Sequence, residues 1–313
     1  LRGHRRNTEI SGMFGGSGAF VGTEPNLFDA LVVDEAHRLN EKSGLYGNLG
    51  ENQIKELISA SKCTILFTDD DQMVTLADIG HSKELEAWAH RLGAEVTHLE
   101  LASQFRCAGS DGYLAWLDDA LGVCATANPQ LTAEDFDFRV VDSPVELDAL
   151  IRAKNGSNRS RIVAGYCWDW KSKRNPDAFD IALPEFGFER QWNLASDQSL
   201  WITAQNSIEQ IGCIHTCQGL ELDYVGVIIG PDFVIEDDAL KAAPAGRSTM
   251  DRSIRGWKTL MRKDPAGTSE RLDRIIRNTY RTLMTRGMKG CYVYCTDPAV
   301  GDYFKRRLVA PAA

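Results

Sequence analysis

Residues Leu31–Arg38 read Leu-Val-Val-Asp-Glu-Ala-His-Arg, a run of apolar β-formers that closes on two adjacent carboxylates. Such a run predicts a buried strand of a parallel sheet, because strands covered on both faces read as continuous hydrophobic stretches. Asp34 and Glu35 then fall at the carboxyl end of the strand, where open α/β sheets place their ligands. The first carboxylate can hold Mg²⁺ through water, and the second can polarise an attacking water. That pairing is the chemistry a nucleotide hydrolase needs.

Outward from this strand the chain alternates strand-like and helix-like segments. Residues 51–61 are predicted as a helix, 63–68 as a second buried strand, 83–92 as a helix and 95–101 as a third strand. A second series starts near Gln104, with a helix over 110–121 and strands near 161–167, 210–216 and 224–230. A helix over 269–285 and a strand over 291–295 complete it. This order predicts an α/β protein with parallel sheets and helices on their faces. The break falls around 101–105, giving domains at 1–102 and 103–313, the second with irregular insertions near 169–199 and 231–267. Ala-Ala-Pro-Ala-Gly at 242–246 reads as a mobile loop.

At 313 residues the chain is long enough for two domains that each bury a core. It has no run of 18 apolar residues, so no membrane helix is expected. The basic start lacks the apolar core of a secretory signal, and a cytoplasmic location is expected. A net charge of -9 argues against coating nucleic acid through bulk charge. The charge is uneven, however: from Arg247 to Arg277 nine basic residues face four acidic ones. That stretch reads either as a solvated helical face or as a phosphate-tracking surface, with Arg255 and Lys258 among its candidate contacts. Eight cysteines are scattered without a Cys-x-x-Cys pair. Cys213, His215 and Cys217 alternate, yet buried thiols are the better reading, and neither disulfides nor a structural metal is expected.

Four further stretches complement the carboxylate pair. Asp69-Asp70-Asp71-Gln72 follows the second strand, where Gln72 can sense a γ-phosphate. Gln104-Phe105-Arg106-Cys107 sits at the domain junction, and the planar guanidinium of Arg106 can donate to two phosphate oxygens. In His215-Thr216-Cys217-Gln218-Gly219-Leu220-Glu221 the glycine allows a tight strand-to-helix turn, the Thr216 hydroxyl can meet phosphate, and Glu221 can accept from a ribose hydroxyl. Tyr280-Arg281-Thr282-Leu283-Met284-Thr285-Arg286-Gly287 ends a helix and presents Arg286, a second arginine for the γ-phosphate. Such arginines contribute about 10³ to 10⁵ in rate in phosphohydrolases that use them. Separately, Trp168 and Trp170 alternate at strand spacing beside Lys171, Lys173 and Arg174, an arrangement on which single-stranded bases could stack or which could simply pack. Tyr113 and Trp116 read as core.

In this order, DEAH, DDDQ, QFRC, TCQGLELD and YRTLMTRG resemble motifs II to VI of superfamily 1 helicases. QFRCAGSDGYLAWLD, IHTCQGLELDYVGVIIGPDF and RNTYRTLMTRGMKGCYVYCTD resemble more closely the bacterial family of Schlafen-like DNA/RNA helicase domains, and the likeness runs from about Phe28 to the end of the chain. The Gln-Arg-x-Gly-Arg-x-Gly-Arg signature of superfamily 2 is absent. The resemblance implies two RecA-like P-loop NTPase domains with ATP between them, the first incomplete at its N-terminus. Carried over residue by residue, it makes Asp34 the Mg²⁺-associated carboxylate, Glu35 the base, Gln72 the γ-phosphate sensor and Glu221 the ribose contact. Arg106 and Arg286 become the arginines of the second domain. ATP and Mg²⁺ are the implied cofactors, and single-stranded DNA or RNA the implied partner.

One expected part is missing. No Gly-x-x-x-x-Gly-Lys-Ser/Thr occurs in the chain, and the stretch Gly15–Gly22 lacks the lysine and sits directly before the DEAH strand. Without that loop the chain alone is expected to bind ATP weakly and hydrolyse it poorly. The chain also starts at leucine, and the first strand, P-loop and helix are expected upstream. The other reading is a non-catalytic helicase-like module that binds nucleic acid or protein.

Overall fold

Strands β1 (Leu31–Val33) and β2 (Thr64–Leu66) run parallel, with Leu31 opposite Thr64 and Val33 opposite Leu66. In the computed structural model they form the centre of the first of two compact units, Leu1–Glu100 and Leu101–Ala313. Residues 13–44, 47–100, 107, 110–127, 130–132, 136–193, 198–204, 206–217 and 219–308 are described. Helix Gln53–Ala60 starts where Asn52 accepts the N–H groups of Ile54 and Lys55, and its Ile54 and Leu57 pack with Ala36, Leu39 and Leu85. Leu85 comes from helix Ser82–Arg91. Both helices cover the Leu31 and Val33 side of the sheet.

The opposite side is bare. Val32 is 67% exposed, and Ile65 and Phe67 are 46% and 45% exposed. Strand β1 is therefore parallel as predicted but covered on one face, not two. The third strand predicted over 95–101 does not form across Glu95–Glu100, and Leu101 lies outside the described residues. Among the described residues β1 and β2 pair only with each other, and Leu99 is 91% exposed, so that segment has neither a ladder partner nor a core to face.

The second unit is built on five parallel strands. These are β3 (Asp137–Val141), β4 (Ser160–Ala164), β7 (Ile211–Gly212), β8 (Leu222–Ile229) and β11 (Gly287–Cys295), in the order β3-β11-β8-β4-β7. Hairpins β5 (Ile181–Leu183) with β6 (Phe188–Arg190), and β9 (Phe233–Glu236) with β10 (Ala239–Ala242), are added to that sheet's connections. The central strands are apolar on both faces, as a covered parallel sheet requires. Helix Pro144–Ala153 joins β3 to β4, and helix Pro265–Met284 leads into β11. Tyr113 and Trp116 of helix Asp111–Ala120 are fully buried, Tyr113 stacked on Phe136 and Trp116 edge-on to Phe138. The protein is thus α/β, with the parallel sheet of a RecA-like fold.

Several predicted segments differ. The strand predicted near 210–216 is only Ile211–Gly212, because Thr216 folds back: its hydroxyl accepts the Cys213 N–H at 2.7 Å and starts a short helix, Ile214–Cys217. The strand predicted to 167 stops at Ala164, so Trp168 and Trp170 lie in a loop and not at strand spacing. The two insertions are more ordered than their composition suggests, each holding a hairpin. Within residues 242–246, Gly246 lies against the chain: a side-chain carbon there would overlap the Pro231 carbonyl.

Candidate active site

In the first unit the chain turns sharply at the end of β1. Phe67 donates its N–H to the Val33 carbonyl at 2.9 Å, and Ala36 donates to the Phe67 carbonyl at 2.8 Å. Between them Glu35 takes a left-handed conformation, φ 54° and ψ 39°, with its N–H on the Asp34 carboxylate at 2.9 Å. That backbone is sparsely populated by residues other than glycine and aspartate or asparagine, and it needs the surroundings to hold it. Gly80 supplies part of the hold: a side-chain carbon there would overlap the Ala36 carbonyl.

The turn is wired to the DDDQ segment through His37, a residue that none of the motif roles assigned from the sequence includes. The Nδ1 atom of buried His37 accepts the Asp69 N–H at 3.3 Å, which turns Nε2 toward Glu35. That Nε2 lies 3.2 Å from Glu35 Oε2. Asp69 in turn accepts from Gln72 Nε2 at 2.7 Å. Asp69 thus joins His37 and Gln72 by hydrogen bonds, while His37 Nε2, buried and without a hydrogen-bond partner, lies close to the Glu35 carboxylate. The buried Gln72 Oε1 has no hydrogen-bond partner and is left as an acceptor. Asp70 does something different: its two oxygens take the Ser82 N–H at 2.9 Å and the Ser82 hydroxyl at 2.7 Å, tying the start of helix Ser82–Arg91. Asp34 precedes Glu35 at the strand end, and its carboxylate accepts the Glu35 N–H.

In the second unit three of the predicted stretches meet at the amino-terminal edge of the sheet. Leu222 at the start of β8 donates to the Arg286 carbonyl at 2.9 Å, so Glu221 and Arg286 precede neighbouring strands. The Cys107 thiol reaches the Thr285 carbonyl at 3.8 Å, which brings the end of Gln-Phe-Arg-Cys to the same turn. Arg106 lies outside the described residues. Arg286 is buried, with Nε donating to the Thr282 carbonyl at 2.9 Å. Burial pushes the neighbouring Cys217 thiol up to about 12, against the pull of the Arg286 charge. Gly219 sits at φ +75° and Glu221 is exposed. Gly219 thus makes a helix-to-strand turn into β8, where a strand-to-helix turn was expected. Thr216, also expected at a phosphate, uses its hydroxyl on the Cys213 backbone in this structure.

The residues singled out for nucleic acid separate in space. Trp168 and Trp170 both pack against the core of the second unit, and Trp170 also lines an open cleft of about 630 Å³. Lys173, not Lys171, stands over the Trp170 ring, at 4.6 Å. Arg255 and Lys258 line a different cavity of about 340 Å³ beside Trp257. Of the basic stretch, Arg247 is fully buried between Asp232 and Asp251, and Arg277 is held by Asp273 and the Leu121 and Leu240 carbonyls.

An α/β fold that carries these motifs in this order defines a helicase-like domain. The chain belongs to the family described as Schlafen group 3, DNA/RNA helicase domain, which matches residues 1–297. It is also similar to a Saccharomyces cerevisiae protein described as uncharacterized protein YPL245W. The two are 25% identical over 310 residues, covering 91% of this chain and 65% of that relative. The chain therefore spans less than two thirds of the relative's length.

Proposed function

We propose that this chain is the motif-bearing portion of an ATP-dependent motor that moves on single-stranded DNA or RNA. The observation that carries the reading is the cluster of Glu35, His37, Asp69 and Gln72. It joins a carboxylate suited to activate water to an amide suited to detect whether a γ-phosphate is present. In this reading Asp34 holds Mg²⁺ through water and Glu35 polarises the attacking water. Gln72 contacts the γ-phosphate through Nε2, while its unused Oε1 accepts from that water. Glu221 takes a ribose hydroxyl, and Arg106 and Arg286 stabilise the charge that develops on the transferred phosphoryl group. Thr216 and Gly219 shape the turn that delivers Glu221. Mg²⁺, when bound, supplies charge neutralisation at the phosphates.

The β- and γ-phosphates also need a backbone cradle, and the chain has no Gly-x-x-x-x-Gly-Lys-Ser/Thr. We assign that role to a strand, P-loop and helix outside these 313 residues. The bare face at Val32, Ile65 and Phe67 supports the assignment, since an apolar sheet face of this kind is made to be covered.

Single-turnover hydrolysis of ATP by the protein that includes that segment tests the reading. Glu35→Gln should lose about 10² to 10⁴ in rate while still binding ATP. Unchanged hydrolysis in that variant would remove Glu35 from the chemistry. A folded protein that contains the loop and hydrolyses nothing would leave a non-catalytic binding module.

A further inference from the structure

The second unit carries a cavity of about 270 Å³ at the carboxyl ends of β3 and β11, and the topology of the sheet accounts for it. These strands are neighbours, yet the helices that follow them cover opposite faces of the sheet. Leu147 and Ile151 of helix Pro144–Ala153, after β3, pack with Val141, Tyr292 and Tyr294. Helix Pro298–Lys305, after β11, sets Phe304 against Phe138, an odd number of residues before Val141 and so on the other face of β3. Where neighbouring strands send the chain to opposite faces, an open α/β sheet is left with a crevice at their carboxyl ends, and such crevices bind ligands. Glu221 and Arg286, assigned to ATP, precede β8 and β11 and lie at the other edge of the sheet.

The cavity has an aromatic corner and an acidic rim. Buried Tyr294 lines it, and the turn Pro184–Phe186 adds Glu185 and Phe186. The Phe186 and Tyr294 rings stand 83° apart with centroids at 5.8 Å, so two aromatic walls meet nearly at a right angle. Asp142, Glu185 and Asp302 bring three carboxylates, against the one amine of Lys305. Lys305 is engaged by Asp142 at 2.5 Å and stands 4.0 Å from Asp302, while Glu185 has no ion pair or hydrogen bond among the described residues. The lining is therefore negative. Two hydroxyls also lack partners. Tyr294 is 4% exposed and its hydroxyl makes no hydrogen bond among the described residues, and the shielded Thr296 Oγ1 has no partner either. Burial and, after it, the Glu185 charge raise the Tyr294 hydroxyl above its ordinary value, so it stays neutral beside that carboxylate. Buried polar groups ordinarily find partners, and two that do not, in one cavity, mark where a ligand's donors belong. A bare metal ion does not suit the cavity, since no three His, Cys, Asp or Glu groups among the described residues converge to hold one.

We propose that this cavity takes a guanidinium on an apolar stem, with the stem and the flat of the cation against Phe186 and Tyr294. Its N–H groups would meet Glu185, Asp302 and the Tyr294 and Thr296 hydroxyls. The site depends on neither the ATP nor the nucleic-acid reading above. A guanidinium suits it better than an ammonium, because it stacks on aromatic faces and donates in several directions at once. The volume falls just below the range of about 300 to 1,000 Å³ that holds drug-sized ligands, and it matches one such group. The same chemistry is offered by a free guanidino compound and by an arginine of another polypeptide.

The test is isothermal titration calorimetry of this chain with N-acetyl-arginine amide, with agmatine, and with N-acetyl-citrulline amide as the neutral isostere. At least one of the two guanidino compounds should bind tenfold or more tighter than the citrulline amide. Glu185→Gln with Asp302→Asn should weaken that binding at least tenfold. Tyr294→Phe, which keeps the ring, should weaken it about twofold to tenfold, the effect of one hydrogen bond. Glu185 and Asp302 are exposed, so the double variant should unfold in urea like the parent, and Glu189→Gln, outside the cavity on the same hairpin, should bind like it. Tighter binding of agmatine, lost in the double variant, would support the site and identify a free compound as the source. Equal or tighter binding of the arginine amide, whose ends are blocked as in a polypeptide, would support the site and identify a partner's arginine. Guanidino compounds that bind no tighter than the citrulline amide, or a double variant with unchanged affinity, overturn the site. Absence of binding by both guanidino compounds up to about 10 mM overturns it as well.

Discussion

At the level of single residues, His37 has the most unusual position. It is buried, it accepts a backbone N–H through one nitrogen and it faces Glu35 through the other. If Glu35 activates water, His37 is a positioning residue. His37→Ala should then lower kcat about tenfold with KM for ATP nearly unchanged, because the interaction it supports matters in the transition state. An equal rise in KM would instead indicate a loosened binding site. Gly80→Ala should disturb the same turn by overlapping the Ala36 carbonyl, with lost activity appearing together with lower stability. The DEAH and DDDQ letters point to Glu35 and Gln72 directly, but nothing in their spacing says that His37 and Asp69 join them. That link depends on how the ends of β1 and β2 lie side by side, which only the folded backbone fixes. The cysteines offer a pH test. Burial raises the thiols of Cys213, Cys217 and Cys291 above the ordinary value, that of Cys217 to about 12, while Cys63 and Cys124 are exposed. The folded protein therefore keeps protons that the unfolded chain releases, so stability should fall as pH rises past the ordinary thiol value of about 8.5, and continue falling toward 12. In native protein at pH 8, iodoacetamide should modify Cys63 and Cys124 and spare the five buried cysteines, Cys107, Cys213, Cys217, Cys291 and Cys295, as mass spectrometry would show.

At the level of elements, the insertion after β8 is held by the buried Asp232–Arg247–Asp251 cluster, to which Tyr280 adds a hydrogen bond onto Asp232 at 2.5 Å. Removing one partner of such a cluster leaves an uncompensated buried charge. Arg247→Met should cost about 3 to 5 kcal/mol in urea unfolding of the chain. A loss under about 1 kcal/mol, the range of exposed pairs, would mean that the cluster is not a fastening. This insertion also shows where sequence reading fails. Its composition, with Ala-Ala-Pro-Ala-Gly and many cations, suggests a mobile basic loop, but Arg247 is spent inward and Gly246 is pressed against Pro231. Composition cannot tell an inward arginine from an outward one, because the partner carboxylate Asp232 lies 15 residues away. By contrast, apolar runs such as 224–229 and 291–295 are legible, since parallel strands covered on both faces leave an unbroken hydrophobic signature. Strand β3 and helix Pro144–Ala153 are absent from the sequence prediction, although Ser143 and Pro144 mark a helix start, with Ser143 accepting the Glu146 N–H. The strand misplaced at 95–101 fails for the opposite reason: a β pattern alone does not supply a neighbour to pair with.

At the level of the whole molecule, the α/β class and the helicase-like family are both readable from five ordered motifs, while the cavity at the carboxyl ends of β3 and β11 is not. The bare face of β1 and β2 gives a discriminating substitution. In these 313 residues alone, Val32→Lys should change stability by no more than about 0.5 kcal/mol, as exposed positions usually do. In a protein that carries the proposed P-loop segment, the same change should cost about 1 to 3 kcal/mol by placing an unpaired charge under the cover. The most direct measurement of all is steady-state ATP turnover by that longer protein, with and without oligo(dT) or oligo(U), beside Glu35→Gln and Arg286→Ala. A motor should turn over ATP faster with a strand present, by tenfold or more, and both substitutions should abolish the stimulated rate. Turnover that is absent, or that is identical with and without a strand, would contradict it.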